Sequence, residues 1–141
     1  MTEVGTLGMQ SEDLYVIEAR PLGLRRGVDR KIVRNMIELT VAAAFDLPLD
    51  ELSAKTRRTA QVAFARQISM YCAHVTFGWS LTEAGSLFSR DRTTAAHACR
   101  VVEDRRDDME VDQLVQKVED ILHQWHLTMQ GCHSLRLEGL A

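Results

Sequence analysis

The sequence predicts an all-α protein, a small helical bundle with an additional amphipathic helix towards its C-terminal end. Three observations carry that expectation. Apolar residues recur with the roughly 3.6-residue period of a helix in several separate segments. Each stripe is bounded by helix-start or helix-stop residues. Glycine and proline are sparse, at 8 and 2 of 141 residues. With 45% hydrophobic residues, a chain of this length can bury one modest core.

Residues 1–28 show little periodicity and carry Gly5, Gly8, Gly23 and Gly27, so they read as a mostly flexible tail in which Leu14-Tyr15-Val16-Ile17 can form a short extended piece. The period changes at Asp29. Val33, Met36, Ile37, Thr40, Val41 and Ala44 form the stripe of a helix ending near Phe45. Pro48 breaks it, and Leu49 to Ser53 are expected to make one short turn. The basic stretch Lys55-Thr56-Arg57-Arg58-Thr59 reads as a loop entering a helix of about residues 60–77, with Ile68, Tyr71, Cys72 and Val75 on its inner face and Gly78 as its stop.

Ser80-Leu81-Thr82-Glu83 has the capping-box pattern, in which the Ser80 hydroxyl accepts from the third helical amide while Glu83 reaches back. Leu81, Ala84, Leu87 and Phe88 then face one way. Asp91 is a second N-cap, opening a helix to about Asp107. A last amphipathic helix, about residues 112–129, carries Leu114, Val118, Ile121, Leu122 and Trp125 on one face. The organisation is therefore a tail over 1–28, a domain over 29–108, and a helix and tail over 109–141.

Charge points to a polyanionic partner. Although the formal net charge is −3, residues 20–106 hold 15 Lys/Arg against 9 Asp/Glu, while the flanks hold 2 against 11. A body of +6 between ends of −9 is a segregation that the average conceals. Two short helices joined by a tight turn are the outline of a helix-turn-helix, whose second helix points its N-terminal residues at base edges. Arg92 can donate to guanine or to phosphate, and Thr93 and Thr94 each pair a hydroxyl with a methyl that fits a thymine methyl. His97 lies four residues past Thr93 on the same face, and the small Ala95, Ala96 and Ala98 are read as letting the helix sit deep in the groove.

Residues 29–108 resemble the C-terminal DNA-binding domain of the bacterial replication initiator DnaA. The resemblance rests on Arg66-Gln67-Ile68-Ser69-Met70-Tyr71, on Ser80-Leu81-Thr82-Glu83 with Gly85 and Phe88, and above all on Arg90-Asp91-Arg92-Thr93-Thr94-Ala95-Ala96-His97-Ala98. It implies a helical bundle around a helix-turn-helix that reads a short AT-rich box. It further implies that Arg92, Thr93, Thr94 and His97 face bases or nearby backbone, that Asp91 caps the helix, that Arg66 and Gln67 lie near phosphates, and that the loop Arg57-Arg58 approaches the minor groove. By their charge, Lys55, Arg57, Arg58, Arg66, Arg90 and Arg92 are the cations expected to reach phosphates. Arg92 stands where the family often has a histidine, and Ala60 where it commonly has an arginine.

The expected function is sequence-specific binding of double-stranded DNA in regulation of transcription or of replication initiation, by a bacterial, cytoplasmic, nucleoid-associated protein that is not an enzyme. The alternative is a protein-interaction adaptor that keeps the fold but has lost specific DNA binding. A replication or transcription protein is a further candidate partner, through the acidic C-terminal helix. No cofactor is expected. There is no GxxxxGK[ST] loop, so no nucleotide and no ATPase module are expected. No run of about 18 apolar residues suggests a membrane span, and Met1 to Gln10 lack the basic start of a secretory signal. Cys72, Cys99 and Cys132, an odd set without a CxxC pair, fit a reduced cytosol. His123, His126, Cys132 and His133 cluster near the C-terminus, but are read as a helix end with exposed imidazoles rather than as a metal site. His74 is read as a surface or half-buried residue, and Trp79 and Trp125 as core.

Overall fold

The computed structural model describes residues 29–54 and 59–140, with side chains described as far as Cys132. The tail 1–28 and the basic loop residues Lys55, Thr56, Arg57 and Arg58 lie outside the described residues.

Helix α1 spans Arg30–Phe45 and starts where the Asp29 carboxylate accepts from the Lys31 amide at 2.8 Å. Its inner stripe is Val33, Ile37 and Val41, as the periodicity predicts, but Ala42 rather than Ala44 completes it. The helix ends on Asp46, left-handed at φ 53°, with the Leu47 amide closing back on the Ala42 carbonyl at 2.9 Å. Helix α2, Leu49–Ser53, is one short turn after Pro48. Helix α3, Ala60–Tyr71, begins with the Thr59 hydroxyl accepting from the Val62 amide.

The stop at Gly78 is reached differently from the expected continuous α-helix. From Cys72 to Thr76 the chain widens into a π-helical stretch, in which the Phe77 amide bonds the Cys72 carbonyl five residues back. Gly78 then turns at φ 77° and the Trp79 amide closes on Ala73. This widening aims Phe77 inward, where it is fully buried against Trp79, Trp125 and His126.

Helix α4, Leu81–Leu87, carries the complete capping box: the Glu83 amide donates to Ser80 Oγ and the Ser80 amide to Glu83 Oε2, each at 3.1 Å. Helix α5 spans Arg92–Arg105 and ends slightly before the expected Asp107. Helix α6 spans Met109–Leu140, starting earlier and running further than the apolar stripe predicts. Its first turn is held by the Asp108 carboxylate, which accepts from the amides of Glu110 and Val111.

A single cluster holds these elements together. Val33, Ile37 and Val41 of α1, Phe64, Ala65 and Ile68 of α3, Val102 of α5, and Val115, Val118 and Leu122 of α6 belong to the same buried core. The first half of α6 is thus built into the core of residues 29–108 and is not merely appended to it. His126 is buried against Phe77, a correction to the expected exposed imidazole, because the core stripe of α6 extends one turn beyond Leu122. Arg106, at the end of α5, ties the two helices. Its guanidinium donates to Asp112 at 2.6 Å, Glu119 at 2.7 Å and the Tyr71 hydroxyl at 3.1 Å.

Candidate nucleic-acid interface

The interface starts with the turn between α4 and α5. The Ser89 amide bonds the Ser86 carbonyl at 3.1 Å and the Arg90 amide the Gly85 carbonyl at 2.8 Å, which is the Schellman closure of a helix C-terminus. Ser89 occupies the left-handed position at φ 59°, where glycine is usual. Two residues later the Asp91 carboxylate accepts from the Thr94 amide at 2.8 Å and starts α5. This bond is the main cause holding the Asp91 carboxyl below the ordinary aspartate range.

The closeness of the two helices depends on Gly85. A Cβ there would lie 2.6 Å from the Asp91 carbonyl oxygen and 2.9 Å from that of Arg90. Both are backbone atoms, so no side-chain rotation relieves the contact.

On α5 the inward strip is Ala95, Ala98, Cys99 and Val102. Ala95 and Ala98 pack with Met70 of α3. Their small size therefore brings α5 close to its own scaffold, whereas the sequence reading assigned it to depth in a groove. The outward strip is Arg92, Thr93, Thr94 and His97, all exposed, and Arg100 one turn further on is exposed as well. Thr93, His97 and Arg100 follow the i, i+4, i+7 spacing of a single helix face. Arg100 was missed by the sequence reading, although its distance from Thr93 was the available signal. The same face ends in the exposed Asp104.

The remaining candidates divide. Gln67 and Arg90 are half-buried. Arg66 is turned onto the last turn of α2, its Nε donating to the Leu52 carbonyl at 3.0 Å and Nη2 to the Glu51 carbonyl at 2.8 Å. It thereby ties α3 to α2. Arg57 and Arg58 lie outside the described residues. At the acidic end, Asp112 and Glu119 are occupied by Arg106, and Asp120 accepts from Gln116 at 3.0 Å. Fewer of those carboxylates therefore face outward unpaired than the sequence suggests. His74 is half-buried, its Nδ1 2.6 Å from the Trp79 carbonyl oxygen. Among the described residues no helix is long and apolar enough to cross a membrane.

A family model described as the bacterial dnaA protein helix-turn-helix matches residues 35–102, a span that runs from α1 to the end of the buried strip of α5. Residues 35–102 thus resemble a DnaA-type helix-turn-helix domain. The chain is 39% identical over 79 residues to the chromosomal replication initiator protein DnaA of Burkholderia multivorans, a match covering 55% of this chain and 15% of that protein. It is 27% identical over 99 residues to the protein of the same name from Desulfotalea psychrophila, covering 70% of this chain and 20% of that one. The chain thus spans a fifth or less of the curated relatives it matches. The matched segment contains Arg66, Gln67, Arg90, Asp91, Arg92, Thr93, Thr94, His97 and Arg100.

Proposed function

We propose that this protein binds double-stranded DNA sequence-specifically, with the N-terminal half of α5 in the major groove. The observation that carries the reading is the two-sided character of α5. Ala95 and Ala98 pack with Met70 of α3, and Arg92, Thr93, Thr94 and His97 are left exposed at the start of a helix closed by a tight turn from α4, with Arg100 exposed further along it. The N-terminal end of α5 also adds the partial positive charge of its aligned peptide dipoles, which favours a polyanion. Thr93, Thr94 and His97 meet base edges, while Arg90, Arg92 and Arg100 meet phosphate or guanine. Arg57 and Arg58 reach the adjacent minor groove, and Arg66 sets the point from which their loop departs.

Its relatives bear the name of a chromosomal replication initiator, which supports a role in controlling initiation or in transcription from related sites. The adaptor reading is disfavoured by the same exposed strip, since a scaffold that had lost DNA contact has no use for it. The test is fluorescence anisotropy with labelled duplexes across a salt series. Each phosphate contact adds about 0.9 to the slope of log affinity against log salt, so several arginines give a steep line. A slope near zero refutes the reading.

A further inference from the structure

A cleft of about 220 Å³ opens between α1, α2, α3 and the turn joining α4 to α5. Three arginines are among its lining residues, Arg34, Arg66 and Arg90, together with Glu38. Two of the cations are engaged. Arg34 pairs with Glu38 at 2.5 Å, and the other oxygen of Glu38 accepts from the Ser53 hydroxyl at 2.6 Å. Arg66 donates to the two α2 carbonyls already described. Arg90 differs: it is half-buried, and its side chain has no hydrogen-bond or ion-pair partner among the described residues.

The residues lining the cleft therefore include three cations against one anion, and both oxygens of that anion are already engaged, one by Arg34 and one by Ser53. Withdrawing a guanidinium from water without giving it an acceptor costs free energy. Here the neighbouring charges raise that cost, because Arg66 and Arg34 share the same wall. A ligand bringing negative charge and several acceptor oxygens relieves it. The volume admits a group several times the roughly 30 Å³ share of one water molecule. A tetrahedral oxyanion can accept from more than one wall at once, and the Arg fork suits two of its oxygens bidentately.

We propose that this cleft is an oxyanion seat that binds a phosphate group, with Arg90 as its principal cation. The seat is coupled to the helix-turn-helix through the backbone of the same residue. The Arg90 amide closes α4 on Gly85, and Asp91, the next residue, starts α5. An occupant held by Arg90 braces the turn that aims α5. The phosphate comes either from the backbone of bound DNA or from a free phosphate-bearing molecule. The seat itself is a property of the protein without DNA and does not rest on the proposed DNA binding.

The experiment uses inorganic phosphate added to the full chain at constant ionic strength, followed by nitrogen–proton NMR. Saturable shifts are expected at the Ser89 and Arg90 amides and at Arg90 Nε. Arg90→Ala should raise the apparent Kd at least about tenfold, since a charge-assisted contact is lost, and Arg90→Lys should recover part of it. Thermal melts of both variants confirm that they are folded. A second titration at saturating duplex separates the sources. Mutual exclusion assigns the seat to a DNA phosphate, and simultaneous binding to a free ligand. If no duplex binds at all, the first titration still decides the seat. Absence of saturable shifts at the turn, or a folded Arg90→Ala protein that binds phosphate as well as the wild type, overturns the proposal.

Discussion

Replacing Gly85 with alanine tests whether the closeness of α4 to α5 is what the turn is built for. The added Cβ would meet backbone oxygen at 2.6 Å and 2.9 Å, separations that ordinary Cβ contacts do not show, so α5 must move outward by a fraction of an ångström. Overpacking of this kind costs about 1–3 kcal/mol. Alanine's better helix propensity returns about 1 kcal/mol. The net expectation is destabilisation of up to about 2 kcal/mol, combining those two magnitudes. Gly131 of α6 supplies the control, because a Cβ there meets nothing within 4 Å. Gly131→Ala should therefore stabilise, by a few tenths to about 1 kcal/mol, through propensity alone. Urea denaturation followed by circular dichroism measures both against the wild type. The opposite signs are the point: if Gly85→Ala stabilises as Gly131→Ala does, the turn has slack and its geometry does not position α5. Duplex affinity of the folded Gly85→Ala protein should fall further than its stability, since the displacement falls on the helix start.

Three further outcomes are expected. Thr93→Ala and Thr94→Ala should weaken the best DNA site by about 1–3 kcal/mol and leave random duplex binding nearly unchanged, whereas Arg100→Ala should weaken both and lower the salt slope by about one unit; equal losses on both duplexes for a folded Thr93→Ala protein would make Thr93 a positioning residue. Asp91 is held below the ordinary aspartate range by the Thr94 amide and Glu83 below the ordinary glutamate range by Ser80, so each cap is fully present above its unfolded pKa of about 4 and is lost as the pH falls through the lower folded value. The amide shifts of Thr94 and Glu83 in an acid titration check this, and midpoints at or above the model-peptide values would contradict it. Burial pushes the Cys99 thiol up to about 11 and raises Cys72 further, while Cys132 is exposed, so near neutral pH a thiol reagent should modify Cys132 at once and the other two on unfolding; rapid reaction of all three would show that the core is open.

What the sequence determined by itself is local. Capping needs one side-chain oxygen and an amide two or three residues away, so Ser80 and Asp91 announce their helix starts, and both bonds are present. The α1 stripe was legible for the same reason, as was the shared face of Thr93 and His97, because a helix period groups those residues without knowledge of any neighbour. Tertiary structure decided whatever depends on residues distant in the chain. Ala95 and Ala98 turn inward because Met70 of α3 lies behind them. His126 is buried because the π-helical stretch carries Phe77 to it. Arg66 leaves an apparently exposed helix face to hold α2 carbonyls 14 and 15 residues away. Asp112 and Glu119 of the acidic C-terminal helix are drawn to Arg106 across a helix junction. In each case a periodic pattern says which residues share a face, but the packing of another element decides whether that face meets protein or water.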